Sequence, residues 1–128
     1  MKRTVVVVDD SKFLLKQITE FFEQQLGFSV AATGCDGNDA VELYRQYKPD
    51  LVTLDISMPN RSGADAMKSI LSEFPQAKVL MISAVRGNAM LQCMCDGAKG
   101  YIEKPLKLGD AEFVKDFKET VEEIFAAG

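Results

Sequence analysis

Thr4-Val5-Val6-Val7-Val8-Asp9-Asp10-Ser11 decides the fold: a β-branched apolar run that stops abruptly on two carboxylates. Apolar side chains at consecutive rather than alternate positions read as a strand covered on both faces, the condition of a buried parallel sheet. Three later runs repeat the pattern. Leu51-Val52-Thr53-Leu54 ends on Asp55, Val79-Leu80-Met81-Ile82 on Ser83, and Tyr101-Ile102-Glu103 on Lys104-Pro105. In an open parallel sheet the carboxyl ends of the strands line one edge, where ligands bind. Residues far apart in sequence would then share one pocket.

Helical periodicity fills the gaps between these runs. Ser11 is placed to cap a helix in which Leu14, Ile18, Phe21, Phe22 and Gln25-Leu26 recur until Gly27 ends it. Phe28 to Thr33 reads as the second strand, and Asp39 to Tyr44 with Tyr47 as a second helix closed by Pro49. Met58-Pro59-Asn60-Arg61-Ser62-Gly63 is a loop, followed by a helix carrying Ala66, Met67, Ile70 and Leu71 that stops near Pro75. Lys78 to Ser83 is the fourth strand, Asn88 to Asp96 a helix ended by Gly97, and Gly100 to Glu103 a short fifth strand. A final helix carries Phe113, Phe117, Val121, Ile124 and Phe125. Strand and helix alternate five times, and the first four strands are apolar almost throughout. The expected architecture is a doubly wound α/β fold with a five-stranded parallel sheet and helices on both faces.

Composition narrows the function classes. A chain of 128 residues with 47% hydrophobic content suits a single domain over 1–128. The formal net charge of −4 argues against nucleic-acid binding by this chain alone, since phosphate backbones are gripped by clustered Lys and Arg. After Met1-Lys2-Arg3 the apolar run reaches only Val8, too short for a signal peptide or a membrane span, so a cytoplasmic location without membrane insertion is expected. Cys35, Cys93 and Cys95 are odd in number, and there is no histidine to complete a zinc site or a Cys-His nucleophile.

The strand ends carry the chemistry. Asp9, Asp10 and Asp55 gathered on one edge would repel one another, raising at least one pKa unless a divalent cation intervenes. Oxygen-only ligands with room for water suit magnesium, and manganese would fit the same set. Lys104 adds a movable cation and Ser83 a hydroxyl donor, both suited to phosphoryl oxygens. Each residue alone has a plainer explanation. Asp9-Asp10 could simply favour a helix N-terminus, Asp55 could form a turn, Ser83 could end a strand, and Lys104 could sit exposed beside Pro105. Tyr101 could be an ordinary strand aromatic. It is their common placement at the same end of four strands that argues for a site.

These residues resemble the receiver domain of two-component response regulators. The resemblance rests on Val-Val-Asp9-Asp10-Ser11, Asp55-Ile-Ser-Met58-Pro59 with the later Gly63, Ser83-Ala84, Gly97-Ala98-Lys99-Gly100 and Lys104-Pro105. It spans essentially the whole chain and is nearest to the small single-domain regulators of chemotaxis type. The resemblance implies the flavodoxin-like (βα)5 receiver fold and a phosphorylation switch. Asp55 would take a phosphoryl group from a histidine kinase. Asp10, Asp55 and the backbone carbonyl of Ser57 would bind magnesium directly, Asp9 mostly through water. Lys104 would pair with the phosphoryl oxygens, Ser83 would move to hydrogen-bond them, and Tyr101 would turn inward. That motion would change the face made by the fourth helix, fifth strand and fifth helix, where a downstream protein or a second phosphorylated copy would dock. Met90, Leu91 and Met94 belong either to that face or to the core.

Some positions depart from the usual family pattern. Val85 and Ser57 flank the route of hydrolytic water, and Val85 offers no polar group to orient it, so slow self-dephosphorylation is expected. Arg61 and Ser62 stand where the family is often apolar and then acidic, with no consequence readable from the sequence. Two other readings remain open: a receiver portion of a longer DNA-binding regulator or hybrid kinase, and a metal-dependent phosphohydrolase with Asp55 as nucleophile. The second is disfavoured because Asp55-Ile56-Ser57 lacks the acid two residues on that would serve as general acid/base.

Overall fold

The computed structural model describes residues 2–126. Met1, Ala127 and Gly128, the ends of the domain expected over 1–128, lie outside the described residues. Five strands alternate with five helices: β1 Thr4–Val8, α1 Lys12–Gln24, β2 Ser29–Gly34, α2 Gly37–Tyr47, β3 Leu51–Leu54, α3 Gly63–Glu73, β4 Val79–Ser83, α4 Asn88–Asp96, β5 Gly100–Glu103 and α5 Ala111–Ala126. All four strand pairings are parallel, in the order β2-β1-β3-β4-β5.

Alternation along β1 sends Val5 and Val7 to one face and Val6 and Val8 to the other. The first pair packs with Ile18, Phe21 and Phe22 of α1 and Phe117, Val121 and Ile124 of α5. The second packs with Ala40 and Val41 of α2, Ala66, Met67 and Ile70 of α3, and Cys93 of α4. Phe22 and Phe117 meet edge to face with centroids 5.8 Å apart. Truncating either to alanine would cost about 3–5 kcal/mol.

The element order matches the sequence expectation, with local corrections. The first helix ends at Gln24 rather than reaching Leu26, because the chain must turn through Gly27 at φ 71°. The second strand is shifted by one residue, from Phe28–Thr33 to Ser29–Gly34, and α2 starts at Gly37 because Asp36 rather than Asp39 begins it, accepting from the Asp39 N–H. The expectation that the first four strands are covered on both faces fails for β2, which lies at the sheet edge with Ser29 and Thr33 exposed. Cys93 is buried and Cys95 exposed, as two positions two apart on a helix require. Leu91 and Met94 are exposed rather than core. Among the described residues no helix is long and apolar enough to cross a membrane.

Candidate functional site

The strand order reverses beside β1: the chain steps outward to β2, then returns across β1 to β3. A crevice opens at such a switch point, at the carboxyl ends of the two inner strands. Register fixes what borders it. Val8 of β1 is level with Leu54 of β3, so the next residues, Asp9 and Asp55, emerge side by side. On the other flank Ser83 is level with Glu103, and the Lys104 N–H donates to the Ser83 carbonyl at 3.0 Å, which sets the lysine at the same edge.

Asp9, Asp10 and Asp55 come together, each offering a carboxylate oxygen within 4.8 Å of the others. Asp9 and Asp55 are buried while Asp10 is exposed. The Lys104 ammonium bridges the buried pair, 2.6 Å from Asp9 Oδ2 and 2.7 Å from Asp55 Oδ2. Asp9 Oδ1 accepts the Ser11 N–H at 2.9 Å, and Ser11 in turn caps α1 by accepting from Leu14. Asp9 therefore takes part in the start of α1 while its other oxygen stands in the carboxylate cluster. The Ser57 N–H donates to Asp55 Oδ1 at 3.3 Å, folding the start of the β3–α3 loop over the carboxylate.

The expected rise in an acid pKa falls on Asp9. Its cause is chiefly burial, with repulsion from Asp55 a lesser contribution, and the hydrogen bonds from Lys104 and Ser11 do not fully offset it. For Lys104 the balance tips the other way: burial alone would lower the ammonium pKa, but pairing with Asp55 and Asp9 leaves it above the ordinary lysine value. Three acids and one ammonium leave the cluster an electron-rich, oxygen-lined site in which a buried carboxylate is penalised for its charge. That donor set fits magnesium, a hard cation that keeps several waters.

Ser83 and Tyr101 form a second group beside the first. Ser83 is fully buried, and its Oγ accepts the Val85 N–H at 3.2 Å rather than reaching the carboxylates. The half-buried Tyr101 donates its hydroxyl to the Val85 carbonyl. Burial pushes the Tyr101 phenol up, against a hydrogen bond with Ser83 that lowers it. Serine, valine and tyrosine are thus linked through one short loop.

Sequence reasoning missed how the β3–α3 loop is held. Arg61 reaches Ser69 on α3 at 2.5 Å, and Ser62 caps α3 by accepting from Asp65 at 3.1 Å. These contacts supply the structural role of the two atypical loop residues. Asn60 donates to Asp36 at 2.7 Å, and the Gly37 N–H donates to the Arg61 carbonyl at 3.1 Å, tying the loop to the start of α2. The only trace in the sequence is Asp36-Gly37 ahead of a helix, which says nothing of a partner 24 residues away.

An α/β protein with a carboxylate cluster and a lysine at its switch point is a phosphoryl-handling or metal-binding domain by class. The comparisons make this specific. Residues 5–113 match the model of the response regulator receiver domain, and the chain belongs to that family. It is 38% identical over 108 residues to the chemotaxis protein CheY of Thermotoga maritima, covering 84% of this chain and 89% of that one. It is 45% identical over 105 residues to CheY of Treponema pallidum, covering 80% and 72%. Its structure is similar to a chain in the CheX–CheY–BeF3–Mg complex of Borrelia burgdorferi, with a TM-score of 0.86, 35% identity, and coverage of 96% and 89%. Receiver fold and two-component response-regulator function follow from that membership.

Proposed function

We propose that Asp55 is the phosphoacceptor of a chemotaxis-type regulator, taking its phosphoryl group from a phosphohistidine of a histidine kinase. The observation that carries this is the Lys104 ammonium shared between two buried carboxylates at the switch point. An Asp55 carboxylate oxygen forms a bond to phosphorus as the phosphorus–nitrogen bond breaks, and the electron pair of that bond returns to the imidazole. Lys104, already at hydrogen-bond distance, neutralises charge on the transferring oxygens.

Asp9, Asp10, Asp55 and the backbone carbonyl of Ser57 would hold magnesium or manganese, Asp9 mostly through water. When bound, the cation supplies neutralising charge for the phosphoryl oxygens. The relative crystallised with BeF3 and Mg supports this reading. Ser83 leaves the Val85 amide to bond the phosphoryl group, and Tyr101, joined to the same loop, carries the change to the surface of α4, β5 and α5. Leu91 and Met94, exposed on α4, supply an adaptable apolar patch there for a downstream protein or for a second phosphorylated copy. The site would work in the cytoplasm as a signalling domain rather than as an enzyme with an external substrate.

The test is incubation with magnesium and a small phosphoryl donor such as acetyl phosphate, read by intact mass. One phosphoryl group should be gained by the wild type and none by Asp55→Asn. Equal modification of both proteins would refute the assignment.

A further inference from the structure

The turn between β2 and α2 touches both sides of the site without entering it. At one end the Gly34 carbonyl accepts the Asp9 N–H at 3.1 Å, fixing the backbone of a buried acid. At the other, Gly37 donates to the Arg61 carbonyl, and Asp36 Oδ2 accepts from the Asn60 amide at 2.7 Å. Asp36 Oδ1 simultaneously caps α2 through the Asp39 N–H at 2.8 Å, so its carboxylate is held at both oxygens. These bonds hold its pKa below the usual carboxylate range, the backbone bond from Asp39 first and the Asn60 amide second. Asp39 in turn accepts the Cys35 N–H at 2.9 Å, closing the turn on itself.

The far side of the β3–α3 loop is equally constrained. The Gly63 N–H donates to the Ile56 carbonyl at 2.8 Å, and a Cβ on Gly63 would stand 1.8 Å from the Asp55 carbonyl oxygen. A Cβ on Gly37 would stand 2.4 Å from the Arg61 carbonyl. Glycine is therefore required at both close approaches. Asn60 itself has φ 65°, a left-handed conformation that asparagine tolerates, and this backbone aims its amide at Asp36. The loop carrying Ser57 is thus anchored to the turn that also anchors Asp9.

We infer that Asp36 and Asn60 are positioning residues for the cation site: their hydrogen bond braces the β3–α3 loop against the β2–α2 turn and so sets where the Ser57 carbonyl lies relative to Asp9 and Asp55. The inference rests on the proposed cation site. Neither side chain hydrogen-bonds Asp9, Asp10 or Asp55. The brace acts through Arg61, Gly63 and Ile56 on one side and Gly34 on the other.

The experiment compares magnesium affinity, by calorimetry on the unphosphorylated protein, in wild type, Asn60→Asp, Asn60→Gly and the exchange Asp36→Asn/Asn60→Asp. Asn60→Gly removes the amide while keeping the left-handed backbone accessible. Asn60→Asp sets two carboxylates against each other, and although its added negative charge would by itself attract a cation, magnesium binding should weaken by about fivefold, roughly what one hydrogen bond is worth. Asn60→Gly should weaken it similarly. The exchange restores an acid–amide pair at unchanged net charge and should recover wild-type affinity. Urea melts without magnesium, run alongside, identify any variant that has lost its fold. Wild-type affinity in folded Asn60→Asp and Asn60→Gly, or no recovery in the exchange, would overturn the brace alone. A wild type that binds no magnesium would overturn the cation site beneath it as well.

Discussion

The Lys104 ammonium stands 2.7 Å from Asp55 and 2.6 Å from Asp9, so one cation already occupies the charge centre of the site. Removing it leaves two buried acids facing each other. Lys104→Met should therefore destabilise the magnesium-free protein by about 2 kcal/mol at neutral pH, less than the full cost of an orphaned buried pair because Asp9 can take up a proton. Since the folded-state pKa of Lys104 is raised, its contribution is fully present below the ordinary lysine value of 10.5 and is lost as pH rises through the higher folded value. Urea melts of wild type and variant should differ across neutral pH and converge above 10.5. The variant should also accept phosphoryl groups far more slowly.

Asp9 shows a linkage of the same sign, but at acid pH. Its pKa is raised above 3.8, mainly by burial, so the folded state favours the protonated acid. That stabilisation is complete below 3.8 and disappears as pH rises through the folded value, above which the buried carboxylate bears its charge at a cost. Asp9→Asn should therefore stabilise the magnesium-free protein, by about 1 kcal/mol or a few degrees in Tm. The same variant should lose most of the stabilisation that magnesium gives the wild type. Thermal melts with and without magnesium measure both effects.

Ser83 and Tyr101 should separate uptake from output. Ser83→Ala removes the hydroxyl that accepts from Val85 and should cost about 1 kcal/mol of stability in a urea melt. Phosphoryl uptake on Asp55 should survive in Ser83→Ala and Tyr101→Ala. Hydrogen exchange in α4 should respond to phosphorylation in the wild type and respond weakly or not at all in either variant.

On the proposed reading Val85 would bear on the lifetime of the phosphorylated form. It is half-buried, its amide engaged by Ser83 and its carbonyl by Tyr101, and its side chain has no polar atom to orient water. The phosphorylated protein should persist well beyond seconds after the donor is removed. Val85→Asn should shorten that lifetime several-fold in a mass-spectrometric decay, while loss within seconds in the wild type would contradict the role given to Val85.

Much of this was legible in the sequence because the signals were local. Val5 to Val8, ending on Asp9, gave both the strand and its burial, and the four strand ends converged as their alternation with helices required. Edge effects were less legible. Nothing in Phe28 to Thr33 showed that this strand would lie outermost, since strand order is set by tertiary packing. That at least one of the three acids would have a raised pKa was legible, but not that it would be Asp9, and repulsion was given the weight that belongs to burial, which depends on the surrounding side chains. The tie between Asn60 and Asp36 was not legible at all, because it joins two loops through a side-chain amide. Ser62 could have been recognised as a helix cap three residues before Asp65, a local pattern that the loop reading passed over.

The central claim is that Asp55 carries the phosphoryl group. An acyl phosphate, unlike a phosphoester or an ionised carboxylate, is reduced by borohydride to a primary alcohol. Wild-type protein phosphorylated in magnesium, treated with borohydride and mapped by peptide mass spectrometry should show that reduction at residue 55 and at no other acid. Reduction at Asp9 or Asp10, or a phosphorylated protein in which residue 55 is unchanged, would contradict the account.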